Sequence, residues 1–139
     1  MLKKTYQAAV TYAVLGLGSG LFYREYTKIH DFHGTTQLSI MHTHLLALGM
    51  LVMLIVLALE KIFELSKSKW FKLFFWHYNG GLLLTVTMML VIGIRDVAGQ
   101  ESMPMIDGIA GLGHILITIA LVFFFIALGK RLTLAQQES

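Results

Sequence analysis

Six histidines carry most of the chemical potential of this chain: His30, His33, His42, His44, His77 and His114. An imidazole titrates near neutrality and offers a ring-nitrogen lone pair to a metal. Nothing else competes. The absence of cysteine excludes disulfides, thiolate metal sites and cysteine nucleophiles. No glycine-rich phosphate loop with a lysine occurs, and no Ser/His/Asp set is plausibly placed, so the chemistry expected is ligation or electron transfer rather than catalytic turnover.

The elements that must position these histidines are read from hydropathy. Of the 139 residues 56% are apolar and 14% charged, where soluble domains carry about a quarter charged. Mean hydropathy is +0.70. Four stretches lack Asp, Glu, Lys and Arg: residues 6–23, 38–59, 73–94 and 108–129. Each is long enough to cross a hydrocarbon core about 30 Å thick, and helices are the default there because lipid leaves no partner for an open backbone group. The fold expected is all-α: one integral membrane domain over residues 1–139, an antiparallel bundle of four transmembrane helices. Lys3 and Lys4 precede the first stretch as in a signal peptide, but Phe22, Tyr23 and Arg24 follow it where small residues would mark cleavage, so it reads as a retained helix.

The cations act as topology signals rather than as a nucleic-acid surface, so no nucleic acid is expected. Lys3, Lys4, Lys61, Lys67, Lys69, Lys72, Lys130 and Arg131 fall on one side, and Arg24, Lys28 and Arg95 on the other. The excess places both termini and the Lys61–Lys72 loop of a multi-pass membrane protein in the cytoplasm. Trp70, Trp76 and Tyr78 would mark the inner boundary, and Tyr23 and Tyr26 the outer one.

With that topology His42 and His44 lie roughly 6 and 9 Å below the outer boundary, and His114 roughly 9 Å below the same boundary. His77 enters from the other end, on the order of 15 Å away, and reads as an interfacial or packing residue. Two imidazoles at one depth on different helices can hold a haem iron from both sides. His42 and His44 point about 200° apart, so one helix cannot aim both at one iron. Gly49, seven residues after His42 on its face, offers room for a ring edge and favours His42, with His44 as the alternative. Gly111 offers similar room beside His114. Arg24 and Arg95 end their helices on the outer side and could pair with haem propionates, or simply cap the interface. The residue-level expectation is therefore haem b, with His42 and His114 as iron ligands, serving one-electron transfer or haem or gas sensing. Its partners would be the lipid bilayer, a quinol or another membrane redox partner, and a further copy of the chain. Two other readings stand beside it. One is a cofactor-free structural or transport-associated subunit, with the histidines satisfied by backbone carbonyls. The other is an outward-facing zinc or copper site, with His30, His33 and Asp31 of the loop folded over His42 or His44.

Along its whole length the chain resembles an uncharacterised "domain of unknown function" family of small four-helix bacterial membrane proteins. The resemblance rests on LGLGSGLFYRE, QLSIMHTHLLALGM, NGGLLLTVTMM and GIAGLGHILIT, and implies no particular activity. Residues 42–49 are also similar to a histidine helix of the haem–copper oxidase catalytic-subunit superfamily. That resemblance implies that His42 ligates a low-spin haem, with His114 as the second ligand. The chain lacks the copper-site histidines and about eight of the superfamily's helices, so it implies no oxygen or nitric-oxide reduction.

Overall fold

The uncharged stretches all become helices, and each helix runs past the apolar run that predicts it. The computed structural model describes residues 1–101 and 104–137. Helix α1 spans Leu2–Ile29. Helix α2 runs Leu38–Phe63, with π-type turns from His44 to Leu51 between α-helical ends. A 3-10 turn, Leu65–Lys67, leads into α3, Lys69–Val97, and α4 covers Pro104–Gln137. Residues 138 and 139, the end of the polar stretch that begins at Gln136, lie outside the described residues. The extra length is polar at most ends (Lys3, Lys61, Lys69, Asp96), because a backbone that is already hydrogen-bonded costs little to continue into the interface.

Three of the helices, α2, α3 and Pro104–Leu134 of α4, are long and apolar enough to cross a membrane. Helix α1 has the length, but Thr5, Gln7, Thr11, Ser19 and three glycines dilute it. Its outer surface is nonetheless apolar: Val14, Leu15, Leu17 and Leu21 are exposed. In lipid such a surface is matched to its solvent. Association must then come from close packing and hydrogen bonds rather than from hydrophobic burial.

The contacts bear this out. Helix α1 packs along α2, and α3 along α4, while α2 and α3 join the two pairs. A Cβ on Gly81 would come within 2.8 Å of the Gly113 carbonyl, and one on Gly93 within 2.6 Å of Leu38. Only glycine lets these backbones approach so closely. The Tyr12 hydroxyl donates to Asn79 Oδ1 at 2.8 Å, joining α1 to α3, and the Tyr78 hydroxyl donates to the Leu48 carbonyl at 2.9 Å, joining α3 to α2. Tyr78 is therefore a core residue, fully buried, and not the interfacial aromatic that its neighbours suggest. Leu48 lies in the π-type turns. There the Val52 N–H reaches back five residues to Ala47, so the carbonyl ladder is displaced and Leu48 takes its partner from another helix.

Helix α4 meets α2 near one end only, where Arg131 donates to the Phe63 carbonyl at 2.8 Å and reaches Glu64 at 3.2 Å. Glu64 ends α2 in the left-handed region, at φ 50°. Lys67, which donates to its carboxylate at 2.6 Å, and then Arg131 hold its carboxyl below the usual range. Glu60, buried, accepts from the Ser66 N–H at 2.7 Å and closes the same turn.

Candidate histidine sites on two flanks of α2 and α3

The histidines separate according to which flank of the α2–α3 pair they occupy. On the α1 flank, a Cβ on Gly20 of α1 would lie 3.7 Å from the Cβ of His42, so His42 sits against α1. Its Nδ1 is buried with no partner, and its Nε2 is 3.5 Å from Thr43 Oγ1. The room expected beside Gly49 is taken: a Cβ there would meet Tyr12 Cγ at 2.5 Å. Sequence spacing shows a gap on one helix but not the side chain from another helix that fills it. On the same flank Val14, Leu15, Phe22, Met41, Leu83 and Leu90 help to line an apolar groove of about 590 Å³.

His44 points about 200° away from His42. It follows Ile40 by one turn, and its Nδ1 donates to the Ile40 carbonyl at 3.0 Å. Ile40 lines a different hollow, of about 390 Å³, with Thr35, Gln37, Ser39, Ile92 and Asp96. This is the polar mouth of the other flank. It is firmly built: Asp96 accepts from the Gln37 N–H at 3.1 Å, and Thr36 donates to the Gly93 carbonyl at 2.9 Å, pinning the start of α2 to α3.

On α4, Gly113 packs against Gly81 and Thr85, and His114 is turned about 100° from that contact. Phe123, rotated about 180° from His114, stacks on Trp70 and His77. Gly93, which meets α2, lies about 160° around α3 from His77. His114 thus takes the flank of α4 on the side of α2, where it is exposed. Its Nδ1 donates to the Ala110 carbonyl at 3.3 Å, and Thr118 donates to the carbonyl of His114 at 2.9 Å. Gly111 beside it has open space where a Cβ would stand.

The depths can be compared along α3. Counting from the Leu38–Gly93 and Gly113–Gly81 contacts, His44 falls opposite Thr87 and His114 opposite Gly80. They are roughly 10 Å apart along the helix, and His42 roughly 13 Å from His114, a wider offset than the spacing alone gives. By these rotations His44 and His114 fall on one flank, and His42 on the other.

In both His44 and His114 the Nδ1–H is committed to the carbonyl four residues back. This fixes the tautomer and leaves the Nε2 lone pair outward, the arrangement a metal-ligating histidine requires. His77 has the same internal bond, to the Leu73 carbonyl at 2.9 Å, but its ring is packed edge-on against Phe123. The arginines expected at the propionates have other partners: Arg95 donates to the Glu101 carbonyl at 2.8 Å, and Arg24 lies 3.7 Å from Glu25. In the loop, His33 Nε2 is 3.1 Å from Asp31 Oδ1 and His30 Nδ1 donates to the Tyr26 carbonyl. Among the described residues no group of three or more His, Asp or Glu is arranged to hold a metal ion.

Comparison with known proteins gives a family. The family model described as "Protein of unknown function (DUF2871)" matches residues 2–131, and the chain belongs to that family. No curated protein and no solved structure matches it. The likeness of residues 42–49 to the haem–copper superfamily stays a resemblance of one helix.

Proposed function

We propose that this member of the family is a small haem-binding, cytochrome b-like protein of the bacterial cytoplasmic membrane, with His44 and His114 as the axial ligands. The supporting observation is the pair of Nε2 atoms left free on one flank, each held by an Nδ1–H donated to its own helix. In this reading all four helices cross the membrane in alternating directions and both termini face the cytoplasm, as the distribution of Lys and Arg implies. A bound haem would supply one-electron exchange.

The chain's own residues orient and exclude. The backbone bonds hold both imidazoles by Nδ1, with Nε2 outward. Asp96, Thr36 and Gln37 fix the mouth, and the Gly111 surface leaves room beside His114. Partners in this reading are the lipid bilayer, a quinol or another membrane redox protein, and, because His114 is exposed, a second copy of the chain.

The test is the absorption spectrum of protein made with excess haem. A Soret band is expected that is lost in His44→Ala and in His114→Ala and kept in His42→Ala. No Soret band in the wild type, or a band indifferent to both of the first two substitutions, removes the proposal.

The apolar groove on the α1 flank favours a second reading, a cofactor-free subunit that receives a helix of a larger membrane complex there. A partner protein co-purifying without any chromophore would support it.

A further inference from the structure

The start of α3 carries an uncompensated concentration of positive charge. A helix N-terminus is electropositive because its first N–H groups point outward unpaired. Here the first turn holds Lys69 and Lys72, no acidic residue, and no side-chain cap from Ser68. Helix α4 adds a further cation. The ammonium groups of Lys69 and Lys130 lie 5.7 and 5.6 Å from the centroid of the Trp70 ring. Neither pairs with a carboxylate among the described residues. The nearest acids are engaged elsewhere, Glu64 by Lys67 and Arg131, and Glu60 by the Ser66 N–H.

An independent observation points to a ligand at the same place. Trp70 Nε1 is buried and has no acceptor, and an unmet buried donor costs about 1–3 kcal/mol. Two lysines at the positive end of a helix, a third from a neighbouring helix and an orphaned indole N–H are each unfavourable alone. One group offsets all of them: an anion with several acceptor oxygens.

We propose that this corner binds the phosphate of an anionic phospholipid headgroup, bridging α3 and α4. The lipid source follows from the surroundings. Trp70 packs on Phe123 at 5.5 Å, and Ile119 of α4, one turn from Phe123, is exposed and apolar, so the site grades from cationic to greasy as a headgroup does over its acyl chains. Lys69 and Lys130 are exposed and flexible. The proposal does not depend on haem, and an absent Soret band leaves it standing.

The test uses the full chain in nanodiscs of phosphatidylcholine with or without phosphatidylglycerol. Trp70 emission is read in a Trp76→Phe background, and retained lipid is counted by native mass spectrometry. Phosphatidylglycerol is expected to shift the emission and to stay bound. Lys69→Gln and Lys130→Gln should each weaken it about fivefold and the double variant about 25-fold, with recovery when both are Arg and no change in Lys28→Gln. Equal retention of the two lipids, or retention unaltered in the double variant, overturns the site. The same emission shift from inorganic phosphate in phosphatidylcholine alone overturns the lipid assignment.

Discussion

The two flanks of the α2–α3 pair take one dipeptide spacing, His42 and His44, to opposite ends. On the α1 flank the histidine is packed in: Gly20 lies against its Cβ, Tyr12 fills the space beside Gly49, and Nδ1 has no partner. On the α4 flank His44 and His114 each satisfy one nitrogen internally and leave the other free, below a mouth lined by Thr35, Gln37 and Asp96. The difference teaches that intramembrane position alone does not mark a ligand. What distinguishes the α4 flank is that its imidazoles have one nitrogen committed and one available. The packed flank contributes cohesion, and in the proposed reading the open one would hold the haem.

The largest expected effect is on that contrast itself. Loss of the Soret band should follow substitution of His44 or His114 and not of His42. The reverse pattern, with His42→Ala losing the band and His44→Ala keeping it, would break the assignment of flanks. Next is Gly49→Ala. Its methyl group would collide with Tyr12, costing about 1–3 kcal/mol, read as a lowered thermal midpoint in detergent. The same substitution at Gly111, where a Cβ meets nothing, should leave the midpoint unchanged. A smaller effect of opposite sign is expected for His42→Leu, which removes the orphaned nitrogen and should stabilise by about 1 kcal/mol. Stability lost in His42→Leu would show that Nδ1 has a partner after all.

The smallest effect concerns the join between α2 and α4. The Glu64 carboxyl lies below its ordinary value of 4.5, first through the hydrogen bond from Lys67. A carboxyl lowered in the folded chain adds stability above that ordinary value and loses it as pH falls through the lowered one. The group is exposed, so the loss is modest and screened by salt. Hydrogen exchange should show the 60–68 turn and the end of α4 loosening in acid, before the α1 flank responds. Glu64→Gln should remove that pH dependence.

The sequence supplied the positions of the helices because lipid demands long uncharged runs, and each of the four stretches lies inside a helix. Helix ends were not legible: charged residues such as Lys69 and Asp96 continue a helix once its backbone is paired. At the site, spacing separates His42 from His44 but could not say which one faces α1. Gly49 is the instructive case. A glycine reads as space, and only the docking of α1 shows that Tyr12 occupies it. The buried Tyr78 and the orphaned Trp70 donor are likewise tertiary facts, invisible until α2 and α4 are in place. The wide turns of α2 had no sequence signal that we can identify.

Those turns have a mechanical consequence. A helix wound with one residue more per turn than its neighbours stores slack, as a slipped stitch does in knitting. Deleting Ala47 would draw the His44–Leu51 stretch toward ordinary winding and leave Leu38 and Glu60 aimed as before. The same deletion in the evenly wound α3 would swing everything beyond it by about 100°. Of all its helices, α2 is therefore the one in which this chain can change length without turning its histidines away.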